Sequence, residues 1–224
     1  MKILRAKWWK VLAVLLMAFT LIGGFLVNIP HVPPLYESIR NQFFHVSMWF
    51  SMVLVLTVSL VYAFRFLRSN NLTHDILANE YANLGILFGV LGIITGSWWA
   101  RFTWGDWWVN DAKLNGAAIT LLIYLVYIVL RSSIEDMQTR ARISAVFNVF
   151  AYAAMVPLLF ILPRMTDSLH PGNGGNPGFN IYDLNNTLRL VFYPSVIGWT
   201  LLGVWFVSLR ARVRFLRLKK YGLA

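Results

Sequence analysis

Five of the ten tryptophans in this 224-residue chain, Trp98, Trp99, Trp104, Trp107 and Trp108, fall within eleven residues. Indoles favour the headgroup level of a bilayer, and a belt of that kind accounts for Trp98 and Trp99. Trp107, Trp108 and Asp111 follow Trp104 at spacings of 3, 4 and 7. A short helix along a membrane surface would therefore place three indoles and one carboxylate on a single face, a flat aromatic platform with a polar end. Gly105 would let a ligand approach the backbone, and Asp111 is placed to cap the helix that Ala112 and Lys113 begin. His31, His45 and His170 fall in segments that the charge pattern assigns to the same side as these tryptophans. His74, beside Asn70, Asn71 and Asp75, reads as a solvated loop residue on the other side. His45 stands in the run Phe43-Phe44-His45-Val46-Ser47-Met48-Trp49, and His170 precedes the Gly- and Pro-rich stretch 171–178.

An aromatic floor, imidazoles and nearby cations together suit haem. Its iron accepts axial histidines, its macrocycle stacks on flat rings, and its propionates pair with Arg or Lys. Arg101, Lys113, Arg164 and Arg189 are the cations on that side. Zinc fits less well, because three scattered histidines without a suitably spaced carboxylate are not its usual ligand set.

The elements that must position these residues are membrane helices. With 58% hydrophobic and only 13% charged residues, the chain is too apolar for an ordinary soluble domain. The absence of cysteine excludes disulfides, thiolate metal sites and CxxC redox chemistry. Six uncharged runs, 11–29, 45–64, 81–100, 114–130, 143–162 and 190–209, approach or reach the roughly 20 residues that cross a hydrocarbon core. No run alternates with period two for long enough to build a barrel. The expected fold is an all-α integral membrane protein, a six-transmembrane-helix bundle forming one domain over 1–224, with a short external amphipathic segment over 98–113. The first run follows Lys2, Arg5, Lys7 and Lys10 as a signal peptide would. Its length and the lack of a small-residue cleavage site before Pro30 favour an uncleaved first helix.

The chain carries 20 Lys+Arg against 9 Asp+Glu, a formal charge of +11. Fifteen of the basic residues fall on one side of the six spans and five on the other: Arg40, Arg101, Lys113, Arg164 and Arg189. By the positive-inside rule both termini are cytoplasmic, and the connections near 30–44, 101–113 and 163–189 are external. The tail 210–220 then reads as a contact with anionic membrane lipid, and no nucleic acid partner is expected. The cytoplasmic connections look short and unremarkable. The span interiors offer chiefly Gly23, Gly24, Asn28 and Pro157.

The run Trp104-Gly105-Asp106-Trp107-Trp108-Val109-Asn110-Asp111-Ala112-Lys113-Leu114 resembles the tryptophan-rich signature, roughly WGxWWxWDxRL, of the WWD haem-handling proteins of cytochrome c maturation. Six spans, with the signature between the third and fourth, most resemble the cytochrome c maturation protein C family. The larger system II synthetases carry additional spans and a large external domain that this sequence does not contain. The likeness extends over essentially the whole chain in topology. It implies that His45 and His170 are the axial ligands of haem b and that Trp104, Trp107 and Trp108 form the platform. Asp111 and Lys113 would orient the haem, and Gly105 and Arg101 would complete the binding set. His45-Val46-Ser47 replaces the family's His-Val-Pro, Asn110 stands where many members have Trp, and Lys113 where many have Arg. Lys lacks the bidentate fork with which Arg would hold a propionate.

The resemblance further implies delivery of haem to a membrane-anchored haem chaperone (maturation protein E), outside the bacterial cytoplasmic (inner) membrane. It also implies partnership with the ABC transporter proteins of the same system (maturation proteins A and B) and with a small single-span membrane protein (maturation protein D). The role would be that of a haem-delivery factor, with positioning in place of conventional catalysis. Two other readings compete. A redox cytochrome b requires histidine pairs within facing spans, and a small-molecule permease requires polar residues at mid-membrane and interrupted helices. His31, in His31-Val32-Pro33-Pro34, shares the external side and is a competing ligand.

Overall fold

The computed structural model describes residues 6–31, 33–170 and 184–220. The basic residues Lys2 and Arg5 and the stretch 171–178 lie outside these. Every regular element among the described residues is helical. The order is α1 (Trp8–Leu26), a 3-10 segment (Tyr36–Phe43), α2 (His45–Ser69), α3 (Leu72–Trp104), α4 (Ala112–Ser132), α5 (Met137–Val156) and α6 (Asn186–Lys220). α5 continues through one π-type turn, Pro157–Ile161, into Leu162–Met165. Six helices are long and apolar enough to cross a membrane, so the chain is a multi-pass helical membrane protein. Leu15, Ile22, Phe25, Val129, Val146 and Phe150 are exposed on its outer surface, as befits a protein whose solvent is hydrocarbon.

The helices outrun the apolar sequence in most places. α3 extends from Leu72 and α6 as far as Lys220, because a helix satisfies its own backbone groups in water as well as in lipid. The first run shows the opposite. α1 stops at Leu26, and Asn28, expected inside a span, lies beyond its end.

α3 is the central helix: 72% of its apolar stretch is buried, where no other exceeds 39%. It runs antiparallel to α2, joined only through Asn70 and Asn71. Asn70 takes the left-handed conformation that ends α2, and the Asn71 side chain accepts from Thr73 N at 2.9 Å to begin α3. Four glycines bring the two helices together. Gly85, Gly89, Gly92 and Gly96 face Leu56, Met52, Trp49 and His45 in turn. A Cβ on Gly92 would lie 2.7 Å from the Trp49 ring, and one on Gly96 would lie 2.6 Å from His45 Cε1. In lipid, where burial of apolar surface gives helices little reason to associate, such close small-residue packing supplies much of the attraction. α1 packs on α6 through Gly23 against Val191 and Gly198 against Leu16 and Met17.

The far end of α3 departs from the plain composition expected of the cytoplasmic side. Asp75 receives both Arg131 nitrogens, at 2.7 and 2.6 Å, in a buried bidentate pair. Glu80, whose side chain is fully buried, accepts from Arg210 Nε at 2.5 Å and forms an ion pair with Arg214, whose Nε lies 2.6 Å from the other carboxylate oxygen. These pairs tie α3 to α4 and α6. His74, expected in a solvated loop, is half-buried in the first turn of α3, with Nδ1 3.0 Å from Ser69 Oγ. Asn148 is a further polar residue inside a span. Its amide donates to Ser59 Oγ at 2.7 Å, and Ser59 donates to the Ala78 carbonyl at 2.6 Å.

Candidate functional site

At the other end of α3, Trp104 is the last helical residue. Gly105 follows at φ +88°, a conformation that side chains disfavour, and this terminates the helix. The Arg101 guanidinium donates to the Gly105 carbonyl. Nothing lies within 4 Å of the place a Gly105 side chain would occupy, so the backbone there is open on one side.

Residues 105–111 are not helical, which corrects the reading of 104–111 as one amphipathic helix. The spacing is right for a helix, but the glycine stop and the start of α4 at Ala112 leave only a short connection to bridge two helices. Trp104 instead points its ring edge at His170, with centroids 5.1 Å apart at 67°. Trp107 and Trp108 stand exposed, at 60% and 41%, and Trp108 Nε1 donates to Asn115 Oδ1 at 3.2 Å. Asn110, at a signature position, accepts from Asn115 Nδ2 at 2.8 Å.

Asp111 is 3% exposed and organises the segment. As the N-cap of α4 its Oδ1 accepts from Lys113 N at 2.9 Å and Leu114 N at 3.3 Å. Its Oδ2 accepts from Ser168 Oγ and Leu169 N, each at 2.8 Å. His170 Nδ1 lies 3.0 Å from Oδ1. Burial alone would raise the Asp111 pKa, but the hydrogen bonds from His170, Ser168 and Leu169 hold the carboxyl well below the usual carboxylate range. Burial, joined by the charge of Lys113, lowers the His170 pKa against the pull of Asp111. His170 is therefore neutral at neutral pH. A neutral ring with Nδ1 against a carboxylate carries its proton there and offers the Nε2 lone pair outward.

His45 is the first residue of α2. Its Nδ1 is 3.1 Å from Thr95 Oγ1, whose own proton goes to the Leu91 carbonyl at 2.8 Å. The hydroxyl is thus placed to accept from His45 Nδ1–H, which would leave the lone pair on Nε2, and the Gly92 backbone is a further hydrogen-bond partner of the ring. Trp99 and Trp49 present edge-on contacts to the ring at 5.8 and 6.4 Å. Trp98 fits the belt reading, being exposed, but Trp99 turns inward, with Nε1 donating to Ser38 Oγ at 2.9 Å. His170 and Lys113 lie within electrostatic reach of His45, so the structure gathers His45, His170, Trp104, Asp111 and Lys113 into one region.

Other candidates stand apart. The Arg164 guanidinium donates to the Phe160 carbonyl of its own helix, Arg189 is in the first turn of α6, and exposed His31 packs against Tyr36 at 4.7 Å. Thr95, Gly96 and Ser168 are site residues that no sequence motif marked. The glycine spacing 85, 89, 92, 96 is visible in the sequence and marks the face of α3 that His45 must meet.

The chain matches the family model for Heme exporter protein C over residues 2–221. A relative of that name from Rhodobacter capsulatus is 25% identical over 197 residues, covering 84% of this chain and 75% of the relative. One from Bradyrhizobium diazoefficiens is 28% identical, covering 81% and 71%. One from Haemophilus influenzae is 26% identical over 61% of this chain, a match that spans about half of that relative's length. Six membrane helices, the tryptophan-rich connection between the third and fourth, and a family match that leaves out only the chain's extreme ends agree, and the chain belongs to the Heme exporter protein C family.

Proposed function

We propose that this protein binds haem between His45 and His170 and delivers it during c-type cytochrome biogenesis. The observation that carries the reading is the pair of imidazoles from distant parts of the chain, each with Nδ1 engaged and Nε2 left as the donor atom. Haem is cargo here, and it supplies an iron that takes two such nitrogens, a flat apolar surface and two carboxylates. The residues fit each part. Trp104 edges the His170 ring, exposed Trp107 and Trp108 offer apolar surface, open backbone at Gly105 permits close approach, and Lys113 and Arg101 are the nearby cations for the propionates.

The site faces the external side of the inner membrane and both termini face the cytoplasm, a reading supported by the fifteen-to-five partition of basic residues. The cargo is haem b, the recipient is the membrane-anchored haem chaperone, and the ABC transporter proteins with the small single-span membrane protein complete the assembly. These follow from the family resemblance. The contribution of the chain to transfer is positioning: the histidines and tryptophans hold the haem still while a vinyl group meets the recipient.

The test is the visible spectrum of detergent-purified protein. His45→Ala and His170→Ala are each expected to weaken or shift the haem bands, and His31→Ala to leave them unchanged. Haem bands that persist unaltered in both of the first two variants would overturn the ligand assignment. A companion prediction follows from packing. Gly96→Ala places a methyl group 2.6 Å from His45 Cε1, so it is expected to displace the imidazole and reproduce much of the His45→Ala spectrum in a folded protein.

A further inference from the structure

We infer that Gly116, together with the π-type turn it seats, positions His170: it fixes how closely the end of α5 lies on α4, and so whether His170 reaches Asp111. This rests on the haem-binding reading above and deepens it. Pro157 opens the turn and Pro163 follows it, and a proline has no N–H to give to a helical ladder. The Leu162 N–H, which in an α-helix would bond to the Leu158 carbonyl, reaches back five residues to Pro157 O. The next donor along a π-type ladder would be the N–H of residue 163, which is proline. The Leu158 carbonyl is turned to α4, where its oxygen occupies the place in which a side chain at position 116 would begin. Only glycine admits it there. The Gly116 Cα–H groups offer the carbonyl a weak contact in a medium that supplies no better one.

The consequence reaches past the turn. One extra residue in a turn swings the chain that follows by about 100°, the rotation per residue of an α-helix. Leu162–Met165 packs along α4 as the π-type turn does. Beyond Met165 the chain leaves the helix and brings Ser168, Leu169 and His170 to Asp111. Asp111 caps α4 and Gly116 lies in its second turn, so α4 holds the segment at two points. The segment between them is short, and pushing it off the first point withdraws His170 from the second.

The experiment uses full-length protein in detergent, with and without haem. In haem-free protein, hydrogen exchange of the Leu169 N–H, held by Asp111 Oδ2, reports the contact directly. Gly116→Ala places a Cβ against a backbone oxygen, which cannot swing aside as a side chain can. It is expected to speed that exchange by about 10-fold or more. With haem, it is expected to weaken binding by about 10- to 100-fold, as loss of a partner behind a metal-bound histidine does, and to give the bands of His170→Ala. Added imidazole is expected to restore the wild-type bands in both variants. Gly203→Ala is the control for loosened packing. Its Cβ meets the Leu84 and Phe88 side chains at 2.8 and 3.0 Å in the core, so it is expected to lower Tm with Leu169 exchange and haem bands unchanged. Should Gly116→Ala not fold, Pro163→Ala decides, since it supplies the N–H that lets the turn close to the α pitch, and the same faster exchange is expected. Unchanged Leu169 exchange in the folded variant, or an equal change in Gly203→Ala, would overturn the inference. Faster exchange beside haem bands that even His170→Ala leaves unaltered would leave the positioning standing and overturn the haem-binding reading instead.

Discussion

Alanine at position 111 is expected to abolish haem binding and to destabilise the protein, the largest effect of any single substitution at the site. One carboxylate there serves two elements. It caps α4 through Lys113 N and Leu114 N, and it gathers Ser168, Leu169 and His170 from beyond the fifth helix. Loss of an N-cap costs about 1 kcal/mol. The partly buried donors on Ser168, Leu169 and His170 would lose their acceptor as well, each at up to about 1 kcal/mol because water can reach them. Asp111→Asn separates the two roles, since an amide oxygen still caps the helix but carries no charge. Its amide NH2 then faces the Leu169 N–H, so the variant is expected to unfold below the wild-type temperature but above that of Asp111→Ala, while retaining haem poorly. Thermal unfolding and haem content, measured together, decide this; an Asp111→Asn protein with wild-type haem content would show that the charge is not used.

The pH dependence has a definite sign. The folded-state pKa of Asp111 is depressed, so its stabilising contribution is complete above the ordinary value of 3.8 and is lost only as pH falls through the lower folded value. His170 is also depressed, so the folded state resists its protonation, and stability on its account falls as pH drops below the ordinary 6.5. Haem bound through His170 is therefore expected to persist to a lower pH than free imidazole ligation would.

The second large effect is expected at the opposite end of α3. The Glu80 side chain is fully buried while Arg210 and Arg214 remain 46% and 44% exposed, so the three residues are not equivalent. Removing Glu80 leaves two arginines that can turn to water, and partial solvent screening limits the loss. Removing both arginines strands a buried carboxylate, and breaking a buried pair from that side costs about 3–5 kcal/mol. The double variant Arg210→Ala/Arg214→Ala is thus expected to lower the unfolding temperature more than Glu80→Gln, and either arginine variant alone much less. Equal effects of Glu80→Gln and the double variant would show that the carboxylate is solvated in the membrane-embedded protein.

Much of the architecture is legible in the sequence. Runs of apolar residues longer than a soluble strand or helix needs admit one solution in lipid, because backbone groups there must be satisfied within the segment. Asp111 as a helix cap is equally legible, since capping is a contact between residues two or three apart. The tryptophan signature carries the family.

Periodicity misleads at 104–111, where one left-handed glycine overrides a helical spacing. Trp99 and Trp98 are adjacent and alike in composition, yet neighbouring helix positions point in different directions, so one ring is exposed while the other is half-buried with its N–H on Ser38. Glu80 and Arg210 are 130 residues apart, Asp111 and Ser168 57, and His45 and Thr95 50. Local sequence carries the tendency of each segment to be helical and apolar, because those are properties of neighbours along the chain. It does not say which face of one helix meets which face of another. That was settled by a row of glycines admitting His45 to α3 and by buried carboxylates that had to find donors wherever the packed helices placed them.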